Sequence, residues 1–272
     1  MKKIAFCFLI YDDINHEDLW NIFLKDVDPQ KYTIYIHHKY SKPLKYFEKY
    51  KLKTCVVTKY YDISLVKAQN LMLQEAILDS DNKHFIFISN SCIPLKSFDH
   101  LYETLNEEYS YFNLWNKEKS FPRCNRASKL VDKKYIHKAS QWSILNRKHA
   151  ELMLNTKDYM TWFNYNGTVP DEHSYITNIH YNNLQDEIIT ELISSNFTTF
   201  TNWSDMAYKY NTKYTNIPTQ HNTLKNYDTI TKEELLYLLN TKCLFARKFT
   251  KKCSGDLHIE EYLDAIKSKS VL

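Results

Sequence analysis

Glycine is almost absent from this 272-residue chain, which contains only Gly167 and Gly255. Neither lies in a strand-to-helix turn near the start of the chain. Walker loops, dinucleotide-binding fingerprints and kinase phosphate loops all need glycines, because the backbone must approach a phosphate closely. The sequence therefore argues strongly against these classes, and any bound diphosphate has to be held by side chains or by a metal.

Paired cysteines and long apolar runs are missing too. The six cysteines form no CxxC pair and have no histidines at zinc-like spacing, which argues against a metal cluster and fits a reducing compartment. No apolar run approaches the ~20 residues of a membrane span. Residues 1–11 imitate a signal peptide, but Asp12 and Asp13 end the run and no small-residue cleavage site follows. We expect a buried first strand, no membrane span and a cytoplasmic location.

Charge of one sign is not concentrated anywhere in the chain. The 36 Lys and Arg residues against 32 Asp and Glu residues give a formal net charge of +4. A nucleic-acid-binding protein needs a basic patch or stripe, so we expect no nucleic-acid partner. The 43% of hydrophobic residues suffices for the core of one large α/β domain or two small ones.

Hydrophobic periodicity alternates between strand and helix over the first ninety residues. Strands are predicted at 4–11, 32–37, 54–58 and 84–89, and helices at 16–27 and 64–78. This alternation predicts an α/β fold with a mostly parallel central sheet flanked by helices. Ligands are expected where the strands end, so residues 1–95 are interpreted as a nucleotide-binding half.

The remainder, 96–255, is interpreted as the acceptor and catalytic half of one domain. Predicted helices are 98–106, 148–154, 171–181 and 232–239; predicted strands are 109–115, 142–145 and 243–246. Residues 117–138 and 205–229 are interpreted as surface excursions, the first of them a mobile loop. A closing helix is predicted at 259–266.

A carboxylate pair, Asp171 and Glu172, follows Pro170 directly before a helical pattern. The simpler interpretation is helix-start chemistry, with Asp171 as the N-cap and Glu172 in the first turn. The alternative is functional, because a carboxylate at a helix N-terminus stays ionised and can take a proton from an attacking hydroxyl.

Adjacent cations, Arg247 and Lys248, end a short apolar strand. Two basic residues on a surface are usually just solvated. Their alternative role is to hold a diphosphate and to stabilise the charge that develops as it leaves. Lys225 and His221, upstream in the polar excursion, are candidates to assist them.

The exit of the fourth strand, residues 89–95, carries no acid where metal-dependent sugar transferases place Asp-x-Asp. The Asp26/Asp28 and Asp79/Asp81 pairs follow helices, which favours turn chemistry. No metal site is therefore expected. Downstream, Trp142 belongs to a Lys-Ala-Ser-Gln-Trp segment whose aromatic ring suits either the core or a sugar platform.

Taken in order, these segments resemble the core-2/I-branching glycosyltransferase family, including its plant branch. The resemblance covers about residues 3–250 and rests on seven segments: 34–37; Ser64, Val66 and Ala68; 85–95; 138–142 with Arg147; 170–173; Thr201, Asn202, Trp203 and Ser204; and 244–249. It departs at Cys92, where many animal members carry Asp and plant members carry Cys. Animal members also carry a membrane anchor and disulfides, neither of which is expected here.

The resemblance implies a GT-A fold, inversion at the anomeric carbon, a UDP-sugar donor, a carbohydrate acceptor, and no obligatory metal or other cofactor. By this resemblance, Glu172 is the general base and Lys248 contacts the diphosphate. Arg247 and either Lys225 or His221 assist Lys248. His37 is expected near the uridine. Substrate contacts are expected from four further residues: Ser91, Gln141, Trp142 and Asp171.

The sequence leaves alternatives open for both the donor sugar and the activity. N-acetylglucosamine is favoured because it is common in the resembling family, with xylose or glucuronic acid next. A glycan- or nucleotide-binding protein that has lost catalysis is the rival from another class; it would keep the basic and aromatic residues without needing Glu172.

Overall fold

The first strand, β1, lies between two hydrophobic cores. In the computed structural model, which describes residues 2–115, 124, 126–192, 198–202, 224–255, 262 and 266, β1 spans Lys3–Ile10. Its alternate side chains Ala5 and Cys7 enter one hydrophobic core, and Phe6 and Phe8 enter another on the opposite face. A strand that is buried on both faces has a continuous apolar sequence. The predicted first strand is therefore confirmed.

The described elements follow the predicted alternation. The strands are β1, β2 (Tyr32–His38), β3 (Asn82–Ser89), β4 (Ile93–Pro94), β5 (Ser110–Leu114), β6 (Ile144–Asn146), β7 (Ile188–Leu192), β8 (Thr199–Thr201) and β9 (Phe245–Arg247). The helices are α1 (Glu17–Leu24), α2 (Ser64–Ala76), α3 (Phe98–Thr104), α4 (Arg147–Asn155), α5 (Tyr159–Trp162), α6 (Pro170–Tyr181) and α7 (Lys232–Asn240).

The main sheet has the strand order β2-β1-β3-β6-β5-β7. Strand β1 is parallel to β2 and β3, β6 is antiparallel to β3 and β5, and β5 is parallel to β7. Helices α2, α4 and α6 cover one face, while α1 and α3 cover the other. The predicted mostly parallel sheet flanked by helices is confirmed.

A smaller sheet, β4-β9-β8, extends from the carboxyl end of β3. Strand β4 follows β3 almost directly and pairs antiparallel with β9, and Thr201 of β8 lies opposite Arg247 of β9. A third core, containing Leu238 and Leu239 of α7, covers this sheet. The pairing brings Arg247 and Lys248 to the edge where β1, β2 and β3 end, which is where α/β sheets bind their ligands.

The predicted strand at 54–58 is wrong. The chain touches β2 only briefly, where the Leu52 amide donates to the Ile36 carbonyl at 2.9 Å, and then leaves the sheet. The Val56 amide, which a strand would use in its ladder, donates instead to Nε2 of His37 at 2.9 Å. A side chain has replaced the neighbouring strand as the hydrogen-bond acceptor.

Several predicted segments fall wholly or partly outside the described residues. This applies to most of 205–229, to part of 117–138, and to the closing helix at 259–266, of which Tyr262 and Ile266 are described, both helical and buried. Within the described part of the chain, no helix is long and apolar enough to cross a membrane.

Candidate active site

Glu172 lies in the first turn of α6, the helix that begins at Pro170. The residue at the N-cap position is Val169, and no side chain caps the helix, so Asp171 is not the cap that the simpler interpretation requires. Two carboxylates in a first turn interact favourably with the positive end of the helix dipole. Both acids therefore lie in the first turn, and neither occupies the N-cap position.

Asp171 is the more deeply buried acid of the pair, with 8% of its surface exposed. Its Oδ1 has no hydrogen-bond partner among the described residues. Burial, followed by the neighbouring charge of Glu172, raises the pKa of Asp171 to about 7, although Lys138 and Arg247 act in the opposite direction. The group therefore changes charge near neutral pH.

Glu172 faces a lysine from another segment. Its Oε2 lies 2.9 Å from Nζ of Lys138, and about a fifth of each side chain is exposed (23% and 20%). The backbone carbonyl of Glu172 accepts from the Ala139 amide at 2.8 Å. The candidate base is therefore paired with a lysine, partly buried and held at both its backbone and its side chain.

Arg247 lies at the end of β9 and forms another side of the site. Its guanidinium carbon lies 4.6 Å from the centre of the Trp142 ring, and its Nε has no hydrogen-bond partner among the described residues. Burial lowers the pKa of Arg247, while Cys92, Tyr60 and the two α6 acids act to raise it. These groups are therefore close enough to interact electrostatically around one point.

Lys248, the next residue, adds a second half-buried cation. Its pKa is lowered by burial and then by the charge of Arg247. Its backbone carbonyl accepts from the Tyr227 amide at 2.7 Å, and its ammonium makes no ion pair with the described part of the chain. Arg247 interacts electrostatically with both α6 acids, and Lys248 is its neighbour in the chain. Two adjacent cations of this kind can hold an anion beside a base.

The sequence model of the Core-2/I-Branching enzyme family matches residues 4–236. The chain belongs to the Core-2/I-Branching enzyme family. Its mostly parallel sheet with flanking helices is the arrangement that the sequence predicts.

One curated relative of this family member is Glycosyltransferase BC10 from Oryza sativa subsp. japonica, 23% identical over 169 residues. That match covers 59% of this chain and 42% of the relative, so the chain spans less than half of the relative's length. Galactosyltransferase LgtC, solved with donor and acceptor sugar analogs, aligns with a TM-score of 0.44 and 8% identity over 97% of this chain and 95% of its own. The bifunctional glycosyltransferase WbbM aligns with a TM-score of 0.45 and 12% identity over 98% of this chain and 50% of its own.

Lys225, also predicted to contact the donor, has partners of its own. Lys225 forms an ion pair with Glu234 of α7 at 2.6 Å and lies 4.6 Å over the Tyr227 ring. His221 lies outside the described residues. The diphosphate role of Lys225 stays a prediction, and it requires the ammonium to exchange or share its carboxylate partner.

His37 is fully buried at the carboxyl end of β2, and its Nε2 accepts the Val56 amide. Burial, followed by the neighbouring His38, lowers the pKa of His37 to about 4, so the ring is neutral and its proton is on Nδ1. The ring binds the Val56 amide at the carboxyl edge of the sheet, whereas the predicted contact with a uridine stays a prediction.

Ser91, Gln141 and Trp142, predicted to contact substrate, also lie at this edge. Ser91 is buried, 3.1 Å from the Ser89 hydroxyl, and its carbonyl accepts the amide of Phe249. Gln141 is half-buried and its carbonyl accepts from a side-chain amide of α2 at 3.3 Å. Trp142 is buried and serves Arg247 as a platform; its predicted contact with a sugar stays a prediction.

Sequence reasoning missed two residues of the site, Lys138 as the partner of Glu172 and Tyr60. Tyr60 is 77% exposed, packs edge-on against Tyr61 at 4.4 Å, and interacts electrostatically with Arg247 and Glu172. Tyr61 has a φ of 56°, a left-handed conformation that is uncommon outside glycine. Two consecutive tyrosines before a helix were the available signal, since such rings suit half-wet clefts.

Proposed function

We propose that this family member transfers a sugar from a UDP-sugar to a glycan hydroxyl, with inversion and in a single displacement. The observation that supports it is the electrostatic contact at the carboxyl edge of the sheet between Glu172, which is ion-paired with Lys138, and Arg247, which is followed in the chain by the half-buried Lys248. The carboxylate supplies a base and the cations supply a diphosphate site, which are the two functions such a transfer needs.

In the proposed step, the acceptor hydroxyl donates its proton to the Glu172 carboxylate while its oxygen attacks C1 of the donor sugar. The bond between C1 and the diphosphate oxygen breaks on the opposite face, and the electron pair leaves with UDP. Arg247 and Lys248 stabilise the negative charge that develops on the departing diphosphate. One displacement of this kind inverts the anomeric configuration.

Metal independence is part of the proposal. Within the described residues, no group of three or more His, Cys, Asp or Glu side chains is placed to hold a metal ion. The exit of β3 carries Ser91 and Cys92 instead of acids. The charge that a divalent ion would compensate is assigned instead to the two cations of β9 and its extension.

N-acetylglucosamine is the proposed donor sugar, on the strength of the family. Xylose and glucuronic acid are the donors to test beside it. A carbohydrate is the proposed acceptor, and it approaches the face of Glu172 that lies opposite the diphosphate cations.

The proposal is tested with Glu172→Gln, which keeps the shape of the side chain and removes its basicity. Transfer is expected to fall by at least ~100-fold, the usual range for loss of a positioned base, while the Kd for UDP changes little. The matched control is Glu151→Gln, because Glu151 also pairs with a cation, Arg147 at 2.9 Å, but on an exposed surface of α4. The anomeric proton of the product, observed by NMR, reports inversion.

Transfer retained in Glu172→Gln overturns the assignment of the base. Retention of anomeric configuration overturns the single displacement. A wild-type chain that binds UDP and glycan without turnover contradicts the activity and supports a binding protein that has lost catalysis.

A further inference from the structure

The lysine that pairs with the proposed base is held in place by its own backbone. The Lys138 carbonyl accepts from the Trp115 amide at 2.9 Å, and Ala139 pairs antiparallel with Leu114 at the end of β5. On its other side the Ala139 amide donates to the Glu172 carbonyl at 2.8 Å. Residues 138 and 139 therefore link β5 to the first turn of α6, and the positions of Lys138 and Glu172 are set together.

The Lys138 side chain is confined as well. Its ammonium lies 4.6 Å from the centre of the Trp115 ring and 2.9 Å from Oε2 of Glu172. The same charge acts on the buried carboxyl of Asp171. A cation between a ring face and a carboxylate in a partly desolvated site interacts more strongly than a surface pair does.

The geometry leaves one oxygen of the base unused. Lys138 occupies Oε2 of Glu172, whereas Oε1 has no hydrogen-bond partner among the described residues. A carboxylate that must accept a proton needs one oxygen free and a fixed orientation, because misplacement of a reacting group by about 1 Å costs on the order of 100-fold in rate.

We propose that Lys138 is a positioning residue for the transfer: its ammonium holds Oε2 of Glu172 so that Oε1 faces the acceptor hydroxyl. It also compensates the charge of two adjacent carboxylates in one helix turn. This inference rests on the proposed function, in which Glu172 is the base, and it adds a residue to which that proposal assigns no role.

The test uses the full chain with Lys138→Met, Lys138→Arg and the matched control Lys134→Met. Lys134 also pairs with an acid, Asp132 at 3.8 Å, and lies 4.7 Å over the Tyr135 ring, but on an exposed turn. We expect Lys138→Met to lower kcat by about 30-fold or more with the donor KM and the UDP-induced melting shift within about twofold, because the base is displaced and the donor site is intact. Lys138→Arg is expected to restore kcat to within about fivefold of wild type, and Lys134→Met to change nothing.

A kcat within about threefold of wild type in Lys138→Met overturns the proposal, as does an arginine variant as impaired as the methionine variant. A second measurement separates this proposal from the function. Urea unfolding measures the loss of unfolding free energy in Lys138→Met, in Glu172→Gln and in the double variant. Because the two side chains interact, the loss in the double variant should be smaller than the sum of the two single losses. Additive losses overturn the inference about Lys138, whereas a wild-type chain without transfer but with coupled losses overturns only the proposed function.

Discussion

The surroundings of Asp171 disfavour the charged form of its carboxyl group. It is buried beside Glu172, and its Oδ1 has no hydrogen-bond partner among the described residues. The charged form is therefore destabilised in the folded state, which is the reason for its pKa of about 7. Sites where a carboxylate is kept in this condition are often those that bind or transfer protons.

Asp171→Asn tests this condition through the pH dependence of stability. Because the folded-state pKa is raised, the contribution of Asp171 to stability is intact below its unfolded pKa and is lost as the pH rises toward about 7. Between pH 5 and pH 8, the wild type should therefore lose ~2–3 kcal/mol of unfolding free energy relative to Asp171→Asn. Urea unfolding at both pH values measures it.

The control for this prediction is Asp158→Asn. Asp158 also begins a helix, α5, but it is exposed and makes no capping hydrogen bond. Asp158 therefore lacks the burial on which the prediction for Asp171 rests. A stability difference between Asp171→Asn and the wild type that does not change with pH would contradict the prediction.

Lys248→Met tests the second cation of the site. The half-buried ammonium makes no ion pair with the described residues, so its removal should leave the stability of the ligand-free protein nearly unchanged. The Kd for UDP should rise by about 10- to 100-fold, the range for loss of a charge-assisted hydrogen bond. Calorimetric titration with UDP measures this, with the exposed Lys252→Met as the control. An unchanged Kd would remove Lys248 from the diphosphate site.

At the scale of elements, the segment between β2 and α2 depends on one side chain. His37 accepts the Val56 amide and thereby holds the chain that leads to Tyr60 and Tyr61. Its removal leaves that amide, in a partly buried position, without its acceptor. The segment forms one wall of the site, so its order bears on ligand binding.

His37→Phe is expected to destabilise the fold by ~1–3 kcal/mol, the cost of an unsatisfied buried donor, and to weaken UDP-sugar binding. Hydrogen exchange at Val56 should become faster. His84→Phe is the matched control, because His84 is also buried and bonds a backbone carbonyl, that of Asn106 at 3.0 Å, through its ring. It should lose similar stability and keep UDP-sugar affinity. Equal binding losses in both variants would refute a special role for the His37 segment.

The same segment shows what the sequence can and cannot predict about elements. Strand β1 and helix α2 are predictable because burial on two faces, or on one helical stripe, leaves a periodic pattern. Residues 54–58 have the composition of a strand, yet the ring of His37 takes the hydrogen bond that would pair them. Strand β7 was not predicted because its polar residues Thr190 and Glu191 interrupt the pattern, and β4 has only two residues.

At the scale of the whole molecule, the site is built from segments that are far apart in sequence. Glu172 and Lys248 each belong to a short motif, so they could be proposed from sequence. Lys138 and Tyr60 could not be assigned roles, because their importance comes from contacts that exist only after the sheet, α6 and β9 are assembled. Local patterns predict motifs, whereas the partners of those motifs are fixed by tertiary structure.

The central claim, a UDP-sugar transferase whose side chains replace a metal, is tested most directly by thermal unfolding of the whole chain with UDP and UDP-sugars, each with and without EDTA. A ligand that binds only the folded state raises the melting temperature, by an amount equivalent to about 2.7 kcal/mol at 100 times its Kd. The account predicts that UDP and one UDP-sugar, with UDP-N-acetylglucosamine foremost, raise the melting temperature and that EDTA does not reduce the effect. Stabilisation that EDTA abolishes, or none with any UDP compound, would contradict it.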